Sequence, residues 1–414
     1  MTGRGHVKLM DGDGTYFRKG FGLKGHVRDE LEADYSGRLV DLLREREFTL
    51  TAGDVTIRLA REFGFCYGVE RAVDYAYQAR AKFPDRRIVL VGEIIHNPHV
   101  NRKLDAMGVR ILARGTGTEG EFDFSDVRAD DVVIIPAFGV TMGDFERLRA
   151  IGCVVVDTTC GSVLNVWKRV ERYAREGFTS LIHGKHAHEE TRATASQALQ
   201  LPGAHYVVVR DMAEARVVCS FITGQCTSRE LLDALGHAVS PGFDPARHLA
   251  RVGVANQTTM LASESLAIAA AVGDAIEQAH GAEYRAANFL SFDTICSATQ
   301  DRQDAVKELL EESLDVMVVV GGYNSSNTMS LAAICAERVP TYHIADADCV
   351  DVQRGVIRHK PVGESGETAT LHWLSAPGPL RVGVTAGAST PNSKIAQTIA
   401  AILATRGIDP DAVA

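Results

Sequence analysis

The sequence predicts an α/β protein of mainly parallel sheets covered on both faces, and three observations predict it. Short β-branched runs recur along the chain: RIVLVG (87–92), DVVIIPAFG (131–139), CVVVDTT (153–159), HYVVVRD (205–211), LDVMVVVGG (314–322) and LRVGVTAG (380–387). Between them lie segments with apolar residues at helical spacing, such as VERAVDYAYQARAKF (69–83) and VLNVWKRVERYAREG (163–177). Near-continuous apolar strands alternating with helices belong to parallel sheets, because the crossover helices bury both faces. The third observation is a weak internal repeat. REFGFCYGVERAVDYA (61–76), VVDTTCGSVLNVWKRV (155–170) and SFDTICSATQDRQDAV (291–306) share a strand, a Cys at its end, two or three small or aromatic residues, and then a helix.

The first 50 residues stand apart: they are polar and rich in Gly and charge until a short helical stretch, GRLVDLLRERE (37–47). They read as an extension packed on the first domain. GTGTEGEFDFSD (115–126) and the region 225–250 read as loops. Gly115, Gly117 and Gly120 match GxGxxG, but acidic residues follow where a dinucleotide fold needs a helix. Gly184-Lys185 lacks the earlier Gly of a phosphate-binding P-loop.

The 414 residues suffice for two or three domains, and 45% hydrophobic content supplies their cores. A net charge of −9 excludes the general basic field that nucleic acid needs. No apolar run reaches the roughly 18 residues of a membrane span, and the N-terminus lacks the apolar core of a secretory signal. A cytoplasmic protein is expected. Its eight cysteines then stay reduced, and most should be small buried hydrophobes. That description suits Cys153, Cys219 and Cys335, while Cys226 and Cys349 read as loop or element-end residues without partners.

Cys66, Cys160 and Cys296 are different, because they hold equivalent places in the three repeats. Each lies beyond the carboxyl end of a strand, where open α/β sheets bind ligands. Three converging thiolates suit a soft metal, zinc or iron–sulfur. Thiolates usually hold [4Fe–4S] clusters in fours, so three would leave one iron open. Spacing alone does not choose the metal.

Four polar stretches accompany the cysteines. GEIIHNPHVN (92–101) places His96 after a strand, and HGKHAHEET (183–191) carries His183, His186, His188, Glu189 and Glu190. GGYNSSNTMSLA (321–332) leads Ser325, Ser326 and Asn327 into a helix, and TAGASTP (385–391) puts Ser389 near an N-cap. Ser and Asn before a helix are usually caps; Gly-rich approaches to helix N-termini also make phosphate sites. An HxH followed by two Glu also suits zinc. QTTM (257–260) places Thr258 at another strand end.

Taken together, GFCYGVERAV, GEIIHNP, DTTCGSV, HGKHAHEET, NQTT, DTICSATQDRQ, NSSNT and TAGASTP, in this order from about residue 56 onward, resemble the IspH (LytB) family of 4-hydroxy-3-methylbut-2-enyl diphosphate reductases. RKGFGLKGHV in the extension is similar to the long form of cyanobacteria and plastids. The resemblance implies a pseudo-threefold trefoil of three α/β domains around a [4Fe–4S] cluster held by Cys66, Cys160 and Cys296, with one open iron. It implies an extension at 1–50, a first domain at 67–160, a second at 161–296, and a discontinuous third at 51–66 plus 297–414. The implied reaction removes the hydroxyl of an allylic diphosphate with two electrons and protons, giving isopentenyl and dimethylallyl diphosphates in the last step of the non-mevalonate pathway. By motif, His96, His188, Ser325, Ser326, Asn327 and Ser389 would bind the diphosphate. Glu190 would deliver protons, with Thr258 in its network. The implied electron donor is a ferredoxin or flavodoxin. Many members carry a His where this chain has Phe138, in PAFG; the long forms share PAFG. The competing readings are a zinc-dependent hydrolase on the His/Glu cluster and a non-catalytic iron–sulfur redox sensor.

Overall fold

The computed structural model describes residues 15–115, 121–374 and 378–413. The GxGxxG look-alike and the first part of the extension therefore fall largely outside the described residues.

Three sheets carry the architecture. The first orders its strands Tyr16–Phe17, Val154–Asp157, Val132–Ile135, Ile88–Val91 and Val109–Leu112, all parallel. The second runs Phe289–Ser291, Val252–Asn256, Thr179–His183 and Tyr206–Val209, again parallel. The third joins distant segments: Thr341–Ile344, Val316–Val320, Leu380–Ala386, Val55–Leu59 and Thr49–Ala52, of which only the last is antiparallel. Strands Ile88–Val91, Val132–Ile135, Thr179–His183, Val252–Asn256 and Val316–Val320 are buried at every position. Their continuous Val/Ile runs thus serve two apolar layers instead of alternating with polar residues. On the first sheet Ile88, Leu90, Val132 and Ile134 face one core while Val89, Val91, Val133 and Ile135 face the other.

The repeat is visible in the backbone. Helices Tyr67–Lys82, Gly161–Arg175 and Ser297–Leu309 have Cys66, Cys160 and Cys296 as their N-cap residues. The spacer of two or three residues expected between Cys and helix is absent: the helix begins at the next residue. The thiols consequently sit at the positive ends of three helix dipoles.

The extension is more structured than its composition suggests. It contains the helices Lys24–Tyr35 and Arg38–Glu45 and the edge strand Tyr16–Phe17. Val27 and Tyr35 enter the core of the first sheet, whereas Leu39, Val40 and Leu43 enter that of the third. The buried Gln78 side chain accepts from the Phe21 and Leu23 amides and fixes the entry to the first helix. Tyr77 donates to Asp34, which also pairs with Lys103 at 2.7 Å.

Several other expectations are corrected. The region 225–250 is not a loop: it holds helices Ser228–Leu235 and Pro245–His248, the former opened by a Thr227/Glu230 capping box. Cys349 is buried with its sulfur 3.7 Å from the Tyr323 hydroxyl, and Cys219 is only half-buried on helix Met212–Ile222. Cys153 and Cys335 are buried as expected. An antiparallel sheet of Val350–Asp351, Val356–His359 and Thr368–Leu371 lies outside the βα pattern and was not expected from it. Among the described residues no helix is long and apolar enough to cross a membrane.

Candidate active site at the strand ends

The cysteines meet where the three helix starts converge. A Cβ added to Gly68 would lie 2.6 Å from the Cys160 sulfur and 3.9 Å from that of Cys66, so both thiols crowd one glycine. Cys66 feels the charge of Cys160, and Cys296 feels that of Cys66, which places all three sulfurs in one neighbourhood. All are free thiols, each partly accessible. Burial pushes the Cys66 thiol up despite amide donors from Gly68 and Val69 and the nearby Arg302 guanidinium. Burial likewise raises Cys296 to about 11, against the Thr299 donors. Buried thiols lacking enough compensating positive charge stay protonated, and a bound cationic centre would reverse that balance. The donor set fits a soft metal group: three sulfurs, from three chain segments, with no disulfide among them.

Arg302 ties this centre together. It is 4% exposed and donates to the Gly64 carbonyl at 2.8 Å, joining the Cys296 helix to the Cys66 loop. Arg71, on the Cys66 helix, donates to the Thr158 and Thr159 carbonyls just before Cys160.

Beside the thiols lies Glu190, 1% exposed on the first turn of helix Glu189–Ala198. Its two oxygens accept from the Thr258 amide at 2.5 Å and the Thr258 hydroxyl at 3.0 Å. Burial outweighs these donors and raises the carboxyl to about 7. The Thr258 carbonyl in turn accepts from the Cys296 amide at 3.3 Å, so one residue bridges carboxyl and thiol loop.

The polar stretches converge on the same place. His96 Nε2 is 3.1 Å from His188 Nε2, and the Glu190 amide donates to His188 Nδ1 at 3.1 Å. A backbone amide only donates, so His188 carries its proton on Nε2 and gives it to His96. His96 then carries its own proton on Nδ1, directed at Glu93 Oε2 2.8 Å away. Burial holds His188 well below the usual imidazole range, which keeps this relay neutral at His188. Phe138 stacks on His96 at 4.2 Å and meets His188 edge-on at 5.6 Å. It packs the two rings in place.

The third sheet brings its own donors. The Ser389 hydroxyl donates to the His96 carbonyl at 3.1 Å, and Asn97 Nδ2 to the Ser389 carbonyl at 2.8 Å. Ser389 lies near the N-cap as expected, two residues before Pro391, which caps helix Asn392–Thr405, and its hydroxyl bonds across units. Ser325 caps helix Ser326–Ala336, accepting from the Thr328 amide. Asn327 accepts from the Ala388 amide at 2.8 Å, while its buried Nδ2 has no hydrogen-bond partner among the described residues. A buried amide donor with nothing to donate to, at a helix N-terminus, is suited to an anion. Gln257 was not singled out from the sequence although it lies in the NQTT stretch. It is 1% exposed and accepts from the Lys185 amide and Thr191 hydroxyl while donating to Thr259 and Ser326.

His96, His188 and Glu189 also offer three ligand atoms within 4.8 Å of one another. Glu189 is already paired with Arg114 at 3.5 Å. That guanidinium neutralises the carboxylate and sets a positive charge beside any cation held there.

The fold and the site define a mainly parallel α/β protein whose strand-end loops combine three converging thiols, a buried carboxyl raised to about 7 and a cluster of histidine, hydroxyl and amide groups. Residues 57–403 match the LytB protein family, and the chain belongs to it. It is 47% identical over 396 residues to a 4-hydroxy-3-methylbut-2-enyl diphosphate reductase of Gloeobacter violaceus, covering 95% of this chain and 93% of that one. Its fold is similar to a solved (E)-4-hydroxy-3-methyl-but-2-enyl diphosphate reductase, the terminal enzyme of the non-mevalonate pathway, at 28% identity. That match has a TM-score of 0.50 and covers 84% of this chain and 98% of that one. The E-1-hydroxy-2-methyl-but-2-enyl-4-diphosphate reductase from Plasmodium falciparum has a TM-score of 0.60 at 20% identity, covering 84% and 87%, and supports the fold.

Proposed function

We propose that this chain reduces (E)-4-hydroxy-3-methylbut-2-enyl diphosphate to isopentenyl and dimethylallyl diphosphates, the last step of the non-mevalonate pathway. The observation that carries the reading is the meeting of three thiols with a buried, protonatable Glu190 beside an anion cradle drawn from all three sheets. The name shared by its relatives agrees. The sheets support a division into units at 67–160, 161–296 and 51–66 plus 297–414, with residues 1–50 as an extension.

Cys66, Cys160 and Cys296 would hold a [4Fe–4S] cluster with one iron free of protein ligands. When bound, it supplies electrons and a Lewis-acidic site for the substrate hydroxyl. The chain does the rest. The diphosphate takes the place where His96 and His188 face Ser325, Ser326, Asn327 and Ser389, and Asn327 Nδ2 gains the acceptor it lacks. The positive end of helix Ser326–Ala336 adds to that attraction. Glu190, neutral below about pH 7, holds a proton near the hydroxyl that leaves as water. Thr258 orients it through both carboxyl oxygens. Burial of the site excludes water, so each of these hydrogen bonds acts in a low dielectric. The electron donor is a ferredoxin or flavodoxin, and the reaction is placed in the cytoplasm.

Anaerobic purification with iron and sulfide analysis, then turnover of the allylic diphosphate with a chemical reductant, tests the reading. Iron and sulfide near four each with product formed is the expected result. A zinc-loaded colourless protein would favour a hydrolase, and a loaded cluster without turnover would favour a redox sensor.

A further inference from the structure

A reductase must admit electrons where its substrate does not block them, and the thiol centre has a second opening. A cavity of about 540 Å³ lies between helix Gly161–Arg175 and the 293–297 loop, lined by Ser162, Asn165, Lys168, Arg169, Asp293 and Cys296 among others. It shares Cys296 with the thiol centre but no residue with the constellation of His96, His188, Glu190, Thr258, Ser326 and Ser389. Cys296 therefore has two sides. Its amide is bonded to the Thr258 carbonyl of the substrate side, and its loop lines this other cavity.

The charge of that face runs against the rest of the chain. The molecule carries −9, yet helix Gly161–Arg175 holds Lys168, Arg169, Arg172 and Arg175 against one acid, Glu171, which is itself buried. Arg172 and Arg175 pair with Glu176 and Glu171. Among the described residues Lys168 and Arg169 form no ion pair. Lys168 is exposed, and the Arg169 guanidinium, at the cavity wall, lies 4.1 Å over the Phe292 ring. Asp293 is the one acid of the lining.

Resting on the proposed reductase reading, we infer that this basic cavity beside Cys296 is the docking face for an acidic electron-carrier protein. Positive charge steers an acidic partner to a face and orients it there, more than it adds raw affinity. A carrier seated on Lys168 and Arg169 approaches the thiol centre through Cys296, leaving the diphosphate cradle free for substrate.

The test uses the full chain with Lys168→Glu plus Arg169→Glu, and a milder pair, Lys168→Gln plus Arg169→Gln, should charge reversal impair folding. Calorimetric titration with a plant-type [2Fe–2S] ferredoxin measures docking; turnover is compared between that ferredoxin and reduced methyl viologen. Expected are a rise of roughly tenfold or more in ferredoxin Kd on charge reversal, a flattened salt dependence, and a higher KM for ferredoxin. Viologen-driven turnover and the substrate KM should stay at wild-type values. Unchanged ferredoxin binding in both pairs overturns the proposal, as does an equal loss of rate with both reductants. A wild-type chain that binds ferredoxin through these residues yet turns over with neither reductant would sink the assigned reaction and leave the docking face standing.

Discussion

Glu190 has two donors, both from Thr258, and burial still wins the contest for its proton. The sign of the consequence can be worked out. Below the ordinary value of 4.5 the carboxyl is protonated in both folded and unfolded chains. Between 4.5 and about 7 only the folded chain keeps the proton, so stability falls as pH rises through that window and levels off above it. The span corresponds to on the order of 3 kcal/mol. Urea midpoints of the cluster-free chain at pH 5 and pH 8 should therefore differ less in Glu190→Gln than in wild type; equal differences would place the proton elsewhere. In the loaded enzyme the same variant should bind substrate normally and lose roughly a hundredfold or more in kcat, the worth of a positioned acid. The cysteines divide by environment in the same way. Cys335 is sealed in a helix with its thiol pushed up to about 12, whereas Cys160 crowds the shared glycine. Cys160→Ser should abolish iron binding and Cys335→Ser should leave it intact, and equal iron content in the two would remove Cys160 from the ligand set.

At the scale of elements, the helix starts explain why a glycine follows Cys66 at a site where alanine would favour the helix. Gly68→Ala should gain up to about 1 kcal/mol of helix propensity while forcing its methyl against the Cys160 sulfur. A melting temperature near wild type with little iron incorporated is the expected pairing; full iron loading would show that the sulfur can move aside. The extension answers a second question. Leu43 is fully buried in the core of the third sheet, so Leu43→Ala should cost about 2–5 kcal/mol, read from the denaturation midpoint. These elements were unevenly legible. The strands were read well because burial on both faces leaves continuous Val/Ile runs. Helix Lys24–Tyr35 was missed because only Val27 and Tyr35 of its residues are buried, too few for a stripe. Helix Ser228–Leu235 was readable from Thr227, Glu230, Leu231 and Leu235, but at eight residues it is too short to show a sustained apolar stripe.

Across the whole molecule, the site is held by bonds whose ends lie far apart in the chain, and this is what the sequence could not display. Its motifs named His96, His188, Ser326 and Ser389, because polar residues after apolar strands stand out locally. Nothing local shows that Arg302 reaches the Gly64 carbonyl 238 positions away, or that Gln257 joins the Ser326 loop to Lys185 and Thr191. Gln257 is the firmer test of that idea, since it uses both ends of its amide. Gln257→Leu leaves the Thr191 and Ser326 hydroxyls without these partners and should cost about 2 kcal/mol or more. Gln257→Glu keeps an acceptor for Lys185 and Thr191 but loses the amide donor to both Ser326 and Thr259, so it reverses the polarity of the link to the third sheet. If that link positions the diphosphate loop, Gln257→Glu should raise the substrate KM severalfold with kcat and iron content nearly unchanged. A fall in stability with the KM at its wild-type value would reduce Gln257 to a packing role, and alignment of the sheets would then rest on contacts such as His96–His188, His96–Ser389 and Asn97–Ser389.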